Sequence, residues 1–189
     1  MAFNEIAERQ ALIALKEQAY EKAVTILMKT YGDDIFRFCQ SMLNNKADAQ
    51  DVLQVVFIQA HQGLEKFHGN SNFRTWLYSI TRNRCLDHLK KMRRLLKRVD
   101  FVDELPEPNL QVHQDQRDQQ DPFINEILRH CLGELSNNAR TAILLRFQSE
   151  HSYEEAALVV QEKAGTLQAR VARALPVLRR CVEGHGVAL

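Results

Sequence analysis

Glycine and proline are scarce in this chain of 189 residues, at 7 and 4, and no alternating apolar–polar run meets a hairpin turn signal. A sheet protein needs both, so strands are excluded as the main architecture. No apolar run approaches the ~20 residues that a membrane span needs. The opening MAFNEIAERQ has neither the basic start nor the apolar core of a secretory leader. The expectation is a soluble, cytoplasmic chain without membrane insertion. Cysteine is also sparse: Cys39, Cys85, Cys131 and Cys181 form no CxxC pair. Cys85 with His88 makes a lone CxxH and Cys181 with His185 a lone CxxxH, and neither supplies four metal ligands. Reduced, structural thiols are expected, with no metal and no cofactor. A nucleophile elbow, a phosphate-cradling glycine loop and a recognisable His–acid motif are missing too, which makes an enzyme the least favoured class.

What is present is charge arranged in blocks. The formal net charge is only +1. Yet residues 31–98 carry 12 Lys/Arg against 6 Asp/Glu, and residues 99–122 carry 1 against 7. A basic block suits nucleic acid phosphates, although membranes and acidic proteins fit as well. Helical periodicity dominates both sides of the acidic stretch. Residues 3–30 read as one or two helices with Ile6, Leu12, Ile13, Ala19, Val24, Ile26 and Leu27 inward, and Tyr31-Gly32 reads as a break. A helix over 33–44 follows, then one from about Ala49 to Phe67 with Asp48 as its N-cap. HGNSN, residues 68–72, is a polar loop. The helix beginning FRTWLYSITRNR has an aromatic front half and a back half dense in Arg and Lys. Its basic tail fits a solvated face as well as a phosphate-binding one.

Residues 99–122 hold three prolines, seven acids and five glutamines, too little apolar surface to fold alone. They read as a flexible acidic linker between two small all-α domains, 1–98 and 123–189. In the second, SYEEAALVVQEKAGTLQARVARALPVLRR begins with a capping box, Ser152 and Glu155. A short helix over 153–160, a turn of about four residues and a second helix from about 164 make a helix-turn-helix pattern. Leu167, Val171, Ala174 and Leu178 line its inner stripe. Thr166, Arg170 and Arg173 share the outer face with Gln168 at its shoulder, side chains of the kind that read a major groove. A surface-charged helical hairpin is the alternative.

Taken together, YGDDIFRFCQSMLNNKADAQDVLQVVFIQAHQGLEKF, FHGNSNFRTWLYSITRNRCLDHLKK and LGELSNNARTAILLRFQSEHSYEEAA with GTLQARVARA resemble a bacterial RNA polymerase sigma factor. The resemblance is to the small, two-domain extracytoplasmic-function (ECF) group of the sigma-70 family and covers about Ala14 to Cys181. It implies a promoter-recognition subunit that docks on core RNA polymerase through Asp48, Asp51, Gln54 and Val55. It implies capture of the melted minus-ten strand of promoter DNA by Phe67, His68, Gly69, Asn70, Ser71, Asn72, Arg74, Trp76, Arg82, Asn83, Lys90 and Lys91. In this view the 68–72 loop makes a pocket for a flipped base, with Phe67 and Asn83 at matching positions, and the basic tail holds phosphates nearby. Thr166, Gln168, Arg170 and Arg173 would read the minus-35 element, and an anti-sigma factor is an expected partner. Four positions depart from the family pattern. Val55 replaces an acid, Gln161 a turn glycine, Lys163 a capping serine and Gln168 a basic residue. Pro176 should kink the last helix or end it near Leu175. A stand-alone helix-turn-helix regulator and a sigma-like protein-interaction module are the alternative readings.

Overall fold

The computed structural model describes residues 4–99 and 122–187. Its regular elements are all helical: α1 (Glu5–Lys16), α2 (Tyr20–Leu43), α3 (Lys46–Gly63), α4 (Phe73–Val99), α5 (Pro122–Glu134), α6 (Asn137–Ile143), α7 (Tyr153–Val160) and α8 (Ala164–Gly184). A 3₁₀ turn over Leu64–Lys66 extends α3, and a π turn over Leu144–Gln148 extends α6. The expected linker, apart from its two ends, lies outside the described residues.

The first unit is α1 to α4. Asn4 caps α1 by accepting the Ala7 amide at 3.0 Å. The buried face of α1 is Ala7, Ala11 and Ala14, whereas Ile6, Leu12 and Ile13 are exposed. The expected core positions were therefore wrong for α1. Small side chains let α1 approach α2 closely, and that contact outweighs burying the larger residues. Tyr31-Gly32 is no break either, because α2 runs straight through it. Glycine inside a helix costs about 1 kcal/mol, which the long buried stripe of Leu27, Tyr31, Ile35, Phe38, Cys39 and Met42 offsets. Asn44, at φ 54°, ends α2 in the left-handed conformation that asparagine tolerates. The N-cap of α3 is Asn45, whose side chain accepts the Asp48 amide at 3.0 Å. Asp48 thus lies in the first turn rather than at the cap.

The second unit is α5 to α8. Ser152 and Glu155 form the expected capping box, with reciprocal bonds of 3.1 and 2.9 Å. Gln161 ends α7 at φ 58°, the left-handed position for which glycine is the usual residue. Pro176 neither ends nor interrupts α8, which continues to Gly184. Pro176 and Ala172 are both exposed, so the carbonyl that loses its partner faces water. Cys131 and Cys181 are joined by a disulfide, Cα–Cα 5.7 Å, which corrects the expectation of four reduced thiols. Cys39 and Cys85 are free and buried. Helical periodicity brings Cys131 of α5 and Cys181 of α8 together although 50 residues separate them.

The two units touch. α4 packs on α7, and a single buried cluster runs from α2 and α4 into α6, α7 and α8. Three buried polar residues fasten this seam. Arg140 donates to the carbonyls of Leu132 (2.7 Å), Gly133 and, across the seam, Met42 (2.8 Å). Arg74 donates to the Ser149 carbonyl. His151, fully buried, sets its ring edge against Tyr78 at 4.6 Å. Burial, and then the Arg74 charge, lowers the His151 pKa to about 4, so it is neutral near pH 7.

Candidate nucleic-acid and polymerase interface

The start of α4 is fixed by a carboxylate from another helix. Glu8 of α1 accepts the backbone amides of Phe73 (2.8 Å) and Arg74 (2.9 Å) and the Tyr31 hydroxyl (2.8 Å). An anion at the first amides of a helix satisfies free donors and complements the helix dipole. Burial, together with the neighbouring Glu8, pushes the Tyr31 phenol well above its usual range. Asn72 adds a cap, its side-chain oxygen accepting the Thr75 amide at 2.7 Å. The loop ahead of α4 therefore enters a rigid frame. Within it His68, Gly69 and Asn70 are exposed and Ser71 and Asn72 are half-buried, and Gly69 takes φ 73°.

Aromatic residues build the wall behind that loop. Phe67 stacks on Phe73 at 4.4 Å between ring centres and meets Trp76 at 5.1 Å. Trp76 in turn closes on Gly63, where an added Cβ would lie 3.1 Å from the indole. A larger residue at 63 would displace the ring. Phe67 and Trp76 keep part of their surface in solvent, as a stacking platform for a base requires.

Asn83 stands ten residues along α4 from Phe73, about 15 Å by helical rise. It is exposed and lines a cleft of about 1020 Å³ between the back half of α4 and the α5–α6 junction. Arg82, Arg84, Lys90 and Arg93 also line it, with Arg140 at its floor and Asp87 and Glu134 as its acids. The cleft is positive on balance. Arg82 donates to the Asn83 side-chain oxygen at 3.2 Å, and burial lowers its pKa. Lys91 is exposed but does not line the cleft.

Arg74 is not on this surface. It is buried, it reaches Ser149, and its guanidinium lies 5.7 Å from the Tyr78 ring centre. Its expected role as a strand contact is replaced here by one in the seam.

On α3, Asp51, Gln54 and Val55 are exposed and Asp48 is half-buried. Spacings of three and four place them on one side of the helix. Asp48 is 3.3 Å from His88 of α4, so it also braces the helix pair. On α8, Thr166, Gln168 and Arg173 are exposed, whereas Arg170 is half-buried and paired with Glu162 at 2.7 Å. Arg170 and Glu162 both lie close enough to Arg82 of α4 to influence its charge. One of the four expected base readers is therefore occupied at the seam. Lys163 at the α8 N-cap makes no side-chain capping bond.

Two family models match the chain in order. Sigma-70 region 2 covers residues 27–95, and Sigma-70, region 4 covers residues 125–175. The chain belongs to the sigma-70 family. Similarity to full-length sigma factors extends over most of the chain, and several of those relatives are of the ECF group. It is 28% identical over 180 residues to the RNA polymerase sigma-H factor of Pseudomonas aeruginosa, covering 92% of this chain and 93% of that one. It is 29% identical over 181 residues to the ECF RNA polymerase sigma-E factor of Haemophilus influenzae, covering 92% and 95%. Among solved structures, the sigma factor RpoE of Bartonella quintana, in complex with the anti-sigma factor NepR, superposes with a TM-score of 0.68. Its identity is 26%, over 82% of this chain and 94% of that one. CnrH, solved with the cytosolic domain of CnrY, shares the fold at 22% identity and the same TM-score. As an ECF sigma factor, the chain has its region 2 match on α2 to α4 and its region 4 match on α5 to α8. No described helix is long and apolar enough to cross a membrane.

Two features escaped sequence reading. The sequence does not single out Glu8. It does not single out Arg140 or His151 either. None had a spacing signal, because their partners are backbone groups or come from distant segments.

Proposed function

We propose that this sigma factor divides promoter recognition between its two units as follows. α3 docks on core RNA polymerase through the side carrying Asp48, Asp51, Gln54 and Val55. The 68–72 loop, backed by Phe67 and Trp76, receives an unstacked base of the melted minus-ten strand. Asn83, Arg82 and Lys90 then hold the strand as it passes along α4, and Lys91 adds charge beside it. Thr166, Gln168, Arg170 and Arg173 read the minus-35 element. The chain carries out no chemistry itself and leaves bond formation to the polymerase. The observation that carries this reading is the half-exposed aromatic wall behind the loop, followed on the same helix by a basic cleft.

The closed seam must open for both elements to be read at once. Promoter positions −10 and −35 are about 25 base pairs apart, or about 85 Å along the duplex. Units in direct contact cannot span that distance. The 22 residues from 100 to 121 extend to at most about 75 Å, which together with the width of each unit is enough. An anti-sigma factor is a fitting partner, since the RpoE of Bartonella quintana was solved with one.

Reconstitution with core polymerase tests the scheme. The wild-type chain should direct initiation from a selected promoter. Asp51→Arg with Gln54→Ala should weaken polymerase binding at least about tenfold while leaving stability within roughly 0.5 kcal/mol, because both side chains are exposed. Unchanged affinity for core polymerase would move the docking surface elsewhere.

A further inference from the structure

Beyond promoter recognition, the far end of the second unit holds a donor cluster apart from the proposed polymerase and DNA contacts. We propose that Cys131, Cys181 and His185 form a binding site for a soft divalent metal ion of the zinc type when the two cysteines are reduced. The metal-ligating atoms of these three residues lie within 4.8 Å of one another. Cys181 and His185 are four residues apart, which puts them on one side of the end of α8, and Cys131 faces them from α5. His130 lies beside them, its ring centre 5.2 Å from that of His185, and Glu134 approaches its Nε2 at 3.6 Å. Thiolate and imidazole form the donor set that zinc takes in tetrahedral sites. His130 is in place to supply a fourth ligand by side-chain rotation, with Glu134 as the carboxylate that orients it.

The surroundings give such a site a structural purpose. Among the described residues, Ile127, Cys131 and Val182 alone are buried in the small cluster that holds α5 to the end of α8, with Leu178, Cys181 and Val187 packed around them. So small a core calls for a covalent or metal cross-link. The disulfide is one such link and the metal the other. Reduction by a dithiol delivers two electrons and two protons and converts the disulfide into two thiols, while the dithiol becomes a disulfide. Metal binding then displaces both protons as the sulfurs bind as thiolates. Only a thiolate binds the metal in this way, and a sulfur held in a disulfide is not a thiolate. The two links therefore exclude each other. Cys39 and Cys85 have sulfurs 3.8 Å apart, but they sit in the main core and join no third ligand among the described residues.

The test uses the full chain, reduced with a dithiol, freed of reductant under nitrogen and titrated with Co(II) and then Zn(II). One equivalent of Co(II) should bind with thiolate-to-metal absorption, zinc should displace it, and about two protons per metal should be released. Cys181→Ser and Cys131→Ser should each abolish the absorption. His185→Ala, at an exposed position, should weaken binding at least about tenfold with unchanged helical content. Prior oxidation should abolish binding. A reduced chain that takes up no metal, or absorption that survives in Cys181→Ser, would overturn the site. Undiminished binding in His185→Ala would overturn the assignment of its third ligand.

Discussion

α4 and α8 are the two helices that carry the proposed promoter contacts, and they are held in opposite ways. α4 begins on a buried carboxylate and an asparagine cap, is backed by stacked aromatics and presents its cleft side chains to solvent. α8 begins on Lys163 without a side-chain cap, follows a turn whose Gln161 takes a conformation suited to glycine, and has Arg170 tied to Glu162 at the seam. In the proposed scheme the helix that receives an unstacked base is preorganised, which lowers the ordering cost of binding a flexible strand. In the same scheme the helix assigned to the duplex minus-35 element has less to overcome and tolerates a looser frame.

The rigid frame of α4 depends most on Glu8. Removing its carboxylate in Glu8→Ala leaves two amides at the start of α4 and the Tyr31 hydroxyl without their acceptor. Each such buried group costs about 1–3 kcal/mol, so a loss of about 3 kcal/mol is expected in denaturant unfolding. Initiation on duplex promoters should suffer even where the protein remains folded. A loss below about 1 kcal/mol would show that α4 is not held by this anion.

Next in size is the seam that keeps α8 close to α4. His151 faces Arg74 and Tyr78 from α4 and Glu155 from α7. Its folded pKa of about 4 lies below the ordinary 6.5, so between those values the unfolded chain binds more protons. Stability at the seam is thus complete above pH 6.5 and declines as pH falls to about 4. The linkage allows a loss of up to about 3 kcal/mol. His151→Phe keeps an aromatic ring and removes the titration. Unfolding measured at several pH values should show a flatter profile for this variant over that interval. Identical profiles would mean that His151 contributes none of the acid sensitivity.

The contrast between the helices also reaches the base readers themselves. Arg173→Ala and Arg170→Ala should each reduce minus-35 discrimination by roughly 1–3 kcal/mol if they contact bases. Arg170 must first leave Glu162, so Glu162→Gln should strengthen binding to a minus-35 duplex and Arg170→Ala should cancel that gain. Selectivity retained in both arginine variants, measured on wild-type and altered minus-35 sequences, would remove this face of α8 from base reading.

The helical layout was legible from sequence wherever local chemistry dictates it. Ser152 and Glu155 marked the start of α7, and Phe73 to the basic tail read correctly as one helix. Errors arose where tertiary contact decides. Ile6, Leu12 and Ile13, expected in the core of α1, are exposed, because close packing of α1 selects Ala7, Ala11 and Ala14. Gly32 reads as a break only if its flanks are weak, and in α2 they are not. Pro176 breaks a helix when the freed carbonyl is buried, and here it is exposed. Resemblance to the family implied Arg74 as a minus-ten contact, whereas the Ser149 carbonyl and the Tyr78 ring draw it into the seam. The Cys131–Cys181 link depends on two helix registers 50 residues apart, beyond any local pattern.

Lys163 offers the smallest and most direct test of the looser helix. Its backbone, at φ −75° and ψ 141°, is already in the extended form of an N-cap, and no side chain accepts from the first turn of α8. Lys163→Ser supplies a hydroxyl within reach of the amides of Gly165 or Thr166, which should stabilise the second unit by about 1 kcal/mol. Removing a positive charge from the positive end of the helix dipole contributes in the same direction. Lys163→Ala isolates that charge effect, since it removes the ammonium and adds no acceptor. Serine should therefore exceed alanine by most of the gain in denaturant midpoint. If both variants unfold alike, the hydroxyl is not capping, and the start of α8 is limited by the turn at Gln161 instead. In that case Gln161→Gly, which relieves a left-handed backbone at φ 58°, should provide the stabilisation that serine did not.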